Sequence, residues 1–102
     1  MEENELLEAG RRLFTKSFDG VIRIELLDDG GACWVDGRQS PPTVSIQSPN
    51  GVGHRFCLWQ IDADDVGLVL TPDKGRFQNS YVAGRVRISG DMAIMARLEL
   101  NS

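Results

Sequence analysis

The chain has 102 residues, of which 41% are hydrophobic and 25% charged, and its formal net charge at pH 7 is −4. This size and composition predict one globular domain over residues 1–102 that can fold without a metal or a disulfide. The acidic balance argues against a nucleic-acid-binding protein, which needs clustered Lys and Arg, and no apolar run is long enough to cross a bilayer.

The first half of the chain predicts a helix followed by four strands. The helix covers residues 2–17, where apolar residues recur at helical spacing and acidic residues occupy the early turns. The strands, in which apolar residues alternate, are predicted at 21–27, 32–36, 43–47 and 55–61. The first two flank the hairpin sequence Asp28-Asp29-Gly30-Gly31, and the run of four looks antiparallel. Both faces of the 55–61 strand are apolar, so we expect it in the centre of the sheet or covered on both sides.

The second half of the chain mixes helical and strand patterns. Helices are predicted at about 62–70, 74–82 and 92–98, and a fifth strand is predicted at 82–89. Asp91 is expected to cap the last helix, because its carboxylate can accept the free backbone N–H groups of the first turn. Strands that come mostly before the helices predict an α+β fold, in which helices cover a five-stranded, mainly antiparallel sheet.

The two cysteines indicate the redox environment. Cys33 and Cys57 lie in predicted strands among apolar neighbours, so we expect two buried thiols rather than a disulfide. Neither has partners at the spacing of a zinc site. The acidic N-terminal segment is unlike a secretory signal, and the last three residues are not a peroxisomal signal, so a cytoplasmic location is expected.

Few residues are arranged for catalysis. His54 is the only histidine, and its place between a loop and a strand is typical of a surface residue rather than of a catalytic base. No serine or cysteine lies in a nucleophile elbow, and the acidic groups lack the spacing of a calcium loop. We therefore expect no enzyme activity, no metal and no cofactor. A small hydrolase or isomerase that uses His54 is a third hypothesis, without an identifiable acid–base partner.

Two further features have more than one interpretation. Arg85 and Arg87 fit either a solvated strand face or a mouth that meets an anionic head group. In the last predicted helix, Met92 and Met95 share one face, which fits either a closed core or the wall of an apolar cavity. Methionine suits a cavity wall because its side chain is flexible and polarisable.

Four segments, taken together, resemble the lipid-binding domain of the sterol carrier protein 2 (SCP2) family. They are 18–24 (FDGVIRI), 28–36 (DDGGACWVD), 64–66 (DDV) and 81–92 (YVAGRVRISGDM). The last segment is the most specific, because it combines an aromatic residue, a Gly, two basic residues around an apolar one, and Gly-Asp-Met before a helix of small residues. The resemblance covers about residues 14–98.

The resemblance implies an α+β fold with an internal hydrophobic tunnel between a five-stranded sheet and its helices. It also implies non-catalytic binding of a sterol, a fatty acid or a fatty acyl-CoA, and a role in lipid transport. The expected lining comprises sheet residues Trp34, Phe56, Leu58 and Ile88 and helix-borne residues Phe77, Tyr81, Met92, Ile94 and Met95. The alternative is an accessory or dimerisation module whose apolar groove serves a partner protein or enzyme. A homodimer and transient membrane contact stay open as expectations.

Overall fold

The computed structural model describes residues 3–28, 30–53, 55–71 and 76–98. Its helices are α1 (Glu3–Leu13), α2 (Val66–Val69), α3 (Arg76–Val82) and α4 (Ala93–Arg97), and a 3₁₀ turn (Ala63–Asp65) leads into α2. Its strands are β1 (Val21–Leu26), β2 (Ala32–Asp36), β3 (Thr43–Ser45), β4 (Cys57–Ile61) and β5 (Val86–Gly90). The predicted α+β fold is confirmed, and the predicted elements are present with bounds that differ at their ends.

The strands form one sheet in the order β3-β2-β1-β4-β5. The pairs β1–β2, β2–β3 and β4–β5 are antiparallel, whereas β1 and β4 are parallel. The sheet is therefore mainly antiparallel, as predicted, but the expectation that the first four strands are all antiparallel is wrong. After β3 the chain crosses to the free side of β1 and starts β4 from the same end of the sheet, which makes that pair parallel. β4 lies inside the sheet, as its two apolar faces predict.

The core lies between one face of the sheet and the helices. Its most deeply buried members include Leu6, Leu13, Phe14, Ile22, Ile24, Cys33, Val35, Trp59, Ile61, Val66, Val69 and Ile94. Both cysteines are buried free thiols, which confirms the expectation from their neighbours. In the described part of the chain, no helix has the length and hydropathy of a membrane-spanning segment.

The boundary between α3 and β5 differs from the prediction. The predicted end of the helix at residue 82 is confirmed, but the strand predicted at 82–89 begins only at Val86. Gly84 has a φ of +79°, and the Arg85 N–H donates to the Ser80 carbonyl at 2.9 Å. The Gly84 N–H donates to the Tyr81 carbonyl at 3.1 Å, so the helix ends in a Schellman motif. The alternation over this segment reflects a helix end rather than a strand.

Asp91 accepts a backbone hydrogen bond at the start of α4, although one position away from the expected cap. The Ala93 N–H donates to Asp91 Oδ1 at 3.1 Å, and the structure places the N-cap at Met92. The carboxylate therefore binds a backbone donor of the first turn, the contact for which an acidic residue is favoured at this place. This contact fixes the turn between β5 and α4.

Candidate functional site

The register of the sheet divides the predicted lining residues between its two faces. Leu58 is in register with Arg23 and Ser89, whereas Ile88 is in register with Trp59, one position along the strand. Because neighbouring positions in a strand point to opposite faces, Ile88 lies on the face covered by the helices and Leu58 lies on the outer face. Trp34, which is opposite Arg23, shares the outer face with Leu58. The nine residues therefore do not share one lining surface.

Trp59 organises the helix-covered face. Its side chain is fully buried, and its ring stacks on Phe77 of α3 with 4.7 Å between the ring centroids. The Phe14 ring lies at 5.4 Å from it, tilted by 48°. The indole Nε1–H donates to Met95 Sδ of α4 at 3.4 Å, which gives the buried indole a weak acceptor. Trp59 thus connects α3 and α4 to the sheet.

Three of the predicted residues, Phe77, Ile88 and Met95, lie beside Trp59, and Tyr81 and Met92 lie near them in sequence on α3 and at the start of α4. We define the α3–α4 ledge as Phe77, Tyr81, Ile88, Met92 and Met95. Phe77, Ile88 and Met95 are partly buried against the core, whereas Tyr81 and Met92 are 50% and 47% exposed. Tyr81 follows Phe77 by one helical turn, and Met92 precedes Met95 by three residues. The ledge is an apolar surface that runs from the buried indole to solvent.

Ile94 does not belong to the ledge. Its side chain is 1% exposed and faces Gly20, where a Cβ atom would lie 2.8 Å from Ile94 Cγ1. The absence of a side chain at Gly20 is what lets α4 approach the start of β1 so closely. Ile94 therefore fills the core at the end of the sheet.

The outer face carries a second, smaller apolar cluster. Trp34 and Phe56 meet edge to face at 5.0 Å, and Val21 and Val52 are buried beside them. The Arg23 guanidinium lies 4.9 Å from the Trp34 ring centroid, a cation–π contact. This cluster is separated from the ledge by the thickness of the sheet.

Two cavities lie away from the ledge, and the second is bordered by two members of the outer-face cluster. A groove of about 420 Å³ lies between α1 and α2, with Ala9, Val66 and Leu70 among its lining residues. A cavity of about 290 Å³ lies at the end of the sheet where β1 and β4 begin, and Ile94 and Arg97 contribute to it. No ledge residue lines either cavity. The internal tunnel stays a prediction.

The buried polar side chains of the described residues are engaged in hydrogen bonds. Each buried side-chain nitrogen or oxygen has a hydrogen-bond partner, and no group of three or more His, Cys, Asp or Glu side chains could hold a metal within these ranges. Burial raises the pKa of Cys33 to about 12, which opposes formation of a nucleophilic thiolate. His54 lies outside the described residues.

Arg85 and Arg87 are not equivalent, although the sequence places them two residues apart. Arg87 lies in β5, whereas Arg85 precedes the strand and donates to Asp65 Oδ1 at 3.1 Å. The expected pair of cations on one strand face is therefore incomplete, because Arg85 belongs to the turn that ends α3.

Sequence reasoning did not include Trp59 among the site residues. Its alternation with Cys57 and Ile61 was visible, but alternation does not tell which face of a sheet receives the helices. The contact that assigns Trp59 to the helix-covered face is the one with Met95. These two residues are 36 positions apart in the chain, so the contact cannot be deduced from a local pattern.

The fold has counterparts among solved structures. One, described as "UbiJ-SCP2 Ubiquinone synthesis protein", aligns with a TM-score of 0.52 and 19% identity over 91% of this chain and 73% of that chain. Another, the apo form of sterol carrier protein 2 from Yarrowia lipolytica, aligns with a TM-score of 0.58 and 14% identity over 83% of this chain and 73% of that chain. No protein-family model matches the sequence, and no curated protein matches it. The five-stranded sheet with its helical cover is thus the fold of SCP2 domains.

Proposed function

We propose that this protein binds an aliphatic lipid (a sterol, a fatty acid or a fatty acyl-CoA) on the α3–α4 ledge, without catalysing a reaction. The observation that supports this most directly is the contact of Trp59 with Phe77 and Met95, which leaves apolar side chains half-buried between a sheet and two short helices. One similar structure is a sterol carrier protein 2, which agrees with a lipid ligand. Transport of the bound lipid, with transient membrane contact, is part of the proposal.

The energetics of the ledge suit an aliphatic chain. Each methylene group moved from water into an apolar site contributes about 0.8 kcal/mol. Helices of seven and five residues, α3 and α4, have little stability of their own and are held by packing. They can therefore separate to admit a chain at lower cost than long helices would require. The flexible side chains of Met92 and Met95 can adjust to the shape of the ligand.

The residues of the outer face do not contact the ligand in this proposal. Trp34, Phe56 and Leu58 lie across the sheet from the ledge, and Ile94 fills the core, so we assign the ligand contacts to the five ledge residues. A ligand that enters on the helix side would leave the Trp34 environment unchanged. Trp59 and Trp34 can therefore be used as separate reporters of binding on the helix-covered face and on the outer face of the sheet.

The test is a lipid titration of delipidated protein with two matched variants. Met95→Trp would fill the ledge beside Trp59, and Leu68→Trp would place the same ring on α2, at an apolar residue that is already exposed. We expect fatty acid, acyl-CoA or cholesterol to raise the melting temperature of the wild type and of Leu68→Trp, because a ligand that binds only the folded state stabilises it. Met95→Trp should reduce that increase.

Native mass spectrometry with organic extraction identifies any lipid that copurifies. A stoichiometric lipid in the wild type that is depleted in Met95→Trp supports the site. Equal lipid content in all three proteins would exclude the ledge as the binding site. The absence of any lipid and of any thermal shift would exclude the carrier function.

The second candidate is an accessory module that presents the ledge to a protein partner. Tyr81, Val82 and Met92 are exposed apolar side chains of α3 and of the residue before α4, and one similar structure is described as a ubiquinone synthesis protein. A lipid-free protein whose melting temperature does not change in the lipid titration would favour this function over the first.

A cytoplasmic location is also part of the proposal. Both cysteines are free and buried, which is typical of proteins kept in a reducing compartment.

A further inference from the structure

β5 is an edge of the sheet, and two hydrogen bonds tell which of its backbone groups point away from β4. The Asp91 N–H donates to the Phe56 carbonyl, and the Leu27 N–H donates to the Ile61 carbonyl, each at 3.0 Å. Carbonyls of the even-numbered residues of β4 therefore point to β5, and those of the odd-numbered residues point to β1. By the same alternation, β5 bonds to β4 through 87 and 89, and the backbone groups of Val86, Ile88 and Gly90 point away from the sheet.

The two edges of the sheet are not equally protected. β3 has only three residues and follows directly on Pro41 and Pro42, so it offers little backbone for pairing. β5 has five residues and contains neither a proline nor a lysine. Within the described ranges, β4 is its one strand neighbour. An edge of this kind is a template for another strand.

We propose that β5 pairs antiparallel with β5 of a second copy, about a two-fold axis at Ile88. This register sets Ile88 opposite Ile88 and Val86 opposite Gly90 of the second copy, which joins the backbone groups that point outward. Arg87 then lies opposite Ser89 on the outer face. The inference depends on the sheet edge and is independent of the proposed lipid function.

Charge complementarity supports antiparallel pairing of two β5 strands. It brings Arg85 of each copy opposite Asp91 of the other, which gives two cross-strand pairs of opposite charge. Arg85 is held at the surface by its contact with Asp65 at 3.1 Å, and its side chain is 44% exposed. Asp91 lies just after the end of β5 and accepts the Ala93 N–H through Oδ1. A shift of the axis to Arg87 would lose both pairs and set Arg87 opposite Arg87, whereas a shift to Ser89 would replace them by pairs of Arg87 with Asp91.

Exposed apolar side chains flank the same edge. α3 precedes β5 and α4 follows it, so a two-fold axis through Ile88 brings α3 of one copy beside α4 of the other. Val82 is 79% exposed at the end of α3, and Met92 is 47% exposed at the start of α4. Contact of Val82 with Met92 of the second copy would remove both from water, and the second copy would contribute to the open side of each ledge.

Opposite substitutions at one exposed position test the proposal. Ser89→Glu would place a carboxylate opposite Arg87 of the second copy, and Ser89→Arg would place a second cation there. Ser89 is exposed on the outer face, so neither change disturbs the core. With two symmetric pairs, we expect dimerisation about fivefold tighter for Ser89→Glu and weaker by a similar factor for Ser89→Arg.

Sedimentation equilibrium over a concentration series measures these constants. A monomer–dimer equilibrium with the order Ser89→Glu, wild type, Ser89→Arg supports the proposal. Equal constants for the three proteins, a monomer throughout for both the wild type and Ser89→Glu, or growth beyond a dimer would overturn it.

Disulfide trapping tests the register itself. Directly opposed residues of a pair that is not hydrogen-bonded have Cα atoms about 4.5 Å apart, within the range that a disulfide spans. A mixture of Arg87→Cys and Ser89→Cys proteins should therefore form a crosslinked dimer under mild oxidation, and each protein alone should not. The native thiols are buried and should not compete. Equally fast crosslinking of either variant alone would contradict the register.

Discussion

Asp36 is a nearly buried carboxylate at the end of β2, and its contacts make folding sensitive to acid. It is 4% exposed, and Arg38 donates to Oδ1 through Nε at 2.9 Å and to Oδ2 through Nη2 at 3.0 Å. The Arg38 backbone N–H also donates to Oδ1, at 3.1 Å. These hydrogen bonds lower the pKa of Asp36 in the folded protein.

The lowered pKa of Asp36 predicts the sign of the pH dependence. The charged carboxylate stabilises the folded state above its unfolded pKa, and that contribution is lost as the pH falls through the lower pKa of the folded state. Asp36→Asn should cost about 1.5–3 kcal/mol at neutral pH, the usual value for hydrogen bonds to a charged group, and much less in acid.

Urea unfolding at neutral and acidic pH measures the difference between wild type and Asp36→Asn. Glu8→Gln is the control, since Glu8 forms an exposed pair with Arg11 that contributes little to stability. A difference between wild type and Asp36→Asn that stays constant with pH would show that the carboxylate charge is not the cause.

At the scale of elements, the end of α3 depends on the left-handed backbone of Gly84. A Cβ atom at Gly84 would have no neighbour within 4 Å, so only its φ of +79° disfavours another residue. Gly84→Ala should therefore lower the free energy of unfolding by about 1 kcal/mol, the usual cost of a left-handed conformation for a residue with a side chain.

Gly67→Ala is the matched control for this prediction. Gly67 lies in α2, and a Cβ atom there would also have no neighbour within 4 Å, but its φ is not in the left-handed region. Alanine should be neutral or stabilising there, because glycine weakens a helix. Chemical denaturation measures both, and equal effects of the two substitutions would contradict the role of the Schellman motif.

At the scale of the whole molecule, the two thiols report on global unfolding. Cys33 and Cys57 lie in the core on β2 and β4, and burial raises the pKa of both. Because a thiol reagent reacts with an exposed thiolate, we expect labelling of the native protein to be slow and to require unfolding. Labelling should become rapid in urea.

The same measurement distinguishes a specific lipid from a detergent-like one. A lipid that binds the folded state should slow thiol labelling in proportion to its thermal stabilisation. Rapid labelling of the native protein, or acceleration by the lipid, would show that the core opens locally or that the lipid unfolds the chain.

Several parts of the fold could be predicted because they depend on neighbours in the chain. The strand at 32–36 coincides with β2, and the turn before it joins β1 and β2 as a hairpin. The last helix was also predicted, and its start is supported by the expected type of contact from Asp91. The start of β5 was misplaced, since Val82 and Gly84 imitate strand alternation while they end a helix.

The sequence by itself determined the α+β class, the approximate places of the elements and the burial of both cysteines. Alternation, helical spacing and turn residues are sufficient for these, because they act over a few residues. Only the tertiary structure decided that β4 is parallel to β1, that Trp59 faces the helices and that Trp34 faces away. These features depend on contacts between distant residues, such as Trp59 with Met95. The alternation of apolar residues in a strand is the same whichever face of the sheet the helices cover, so it cannot determine them.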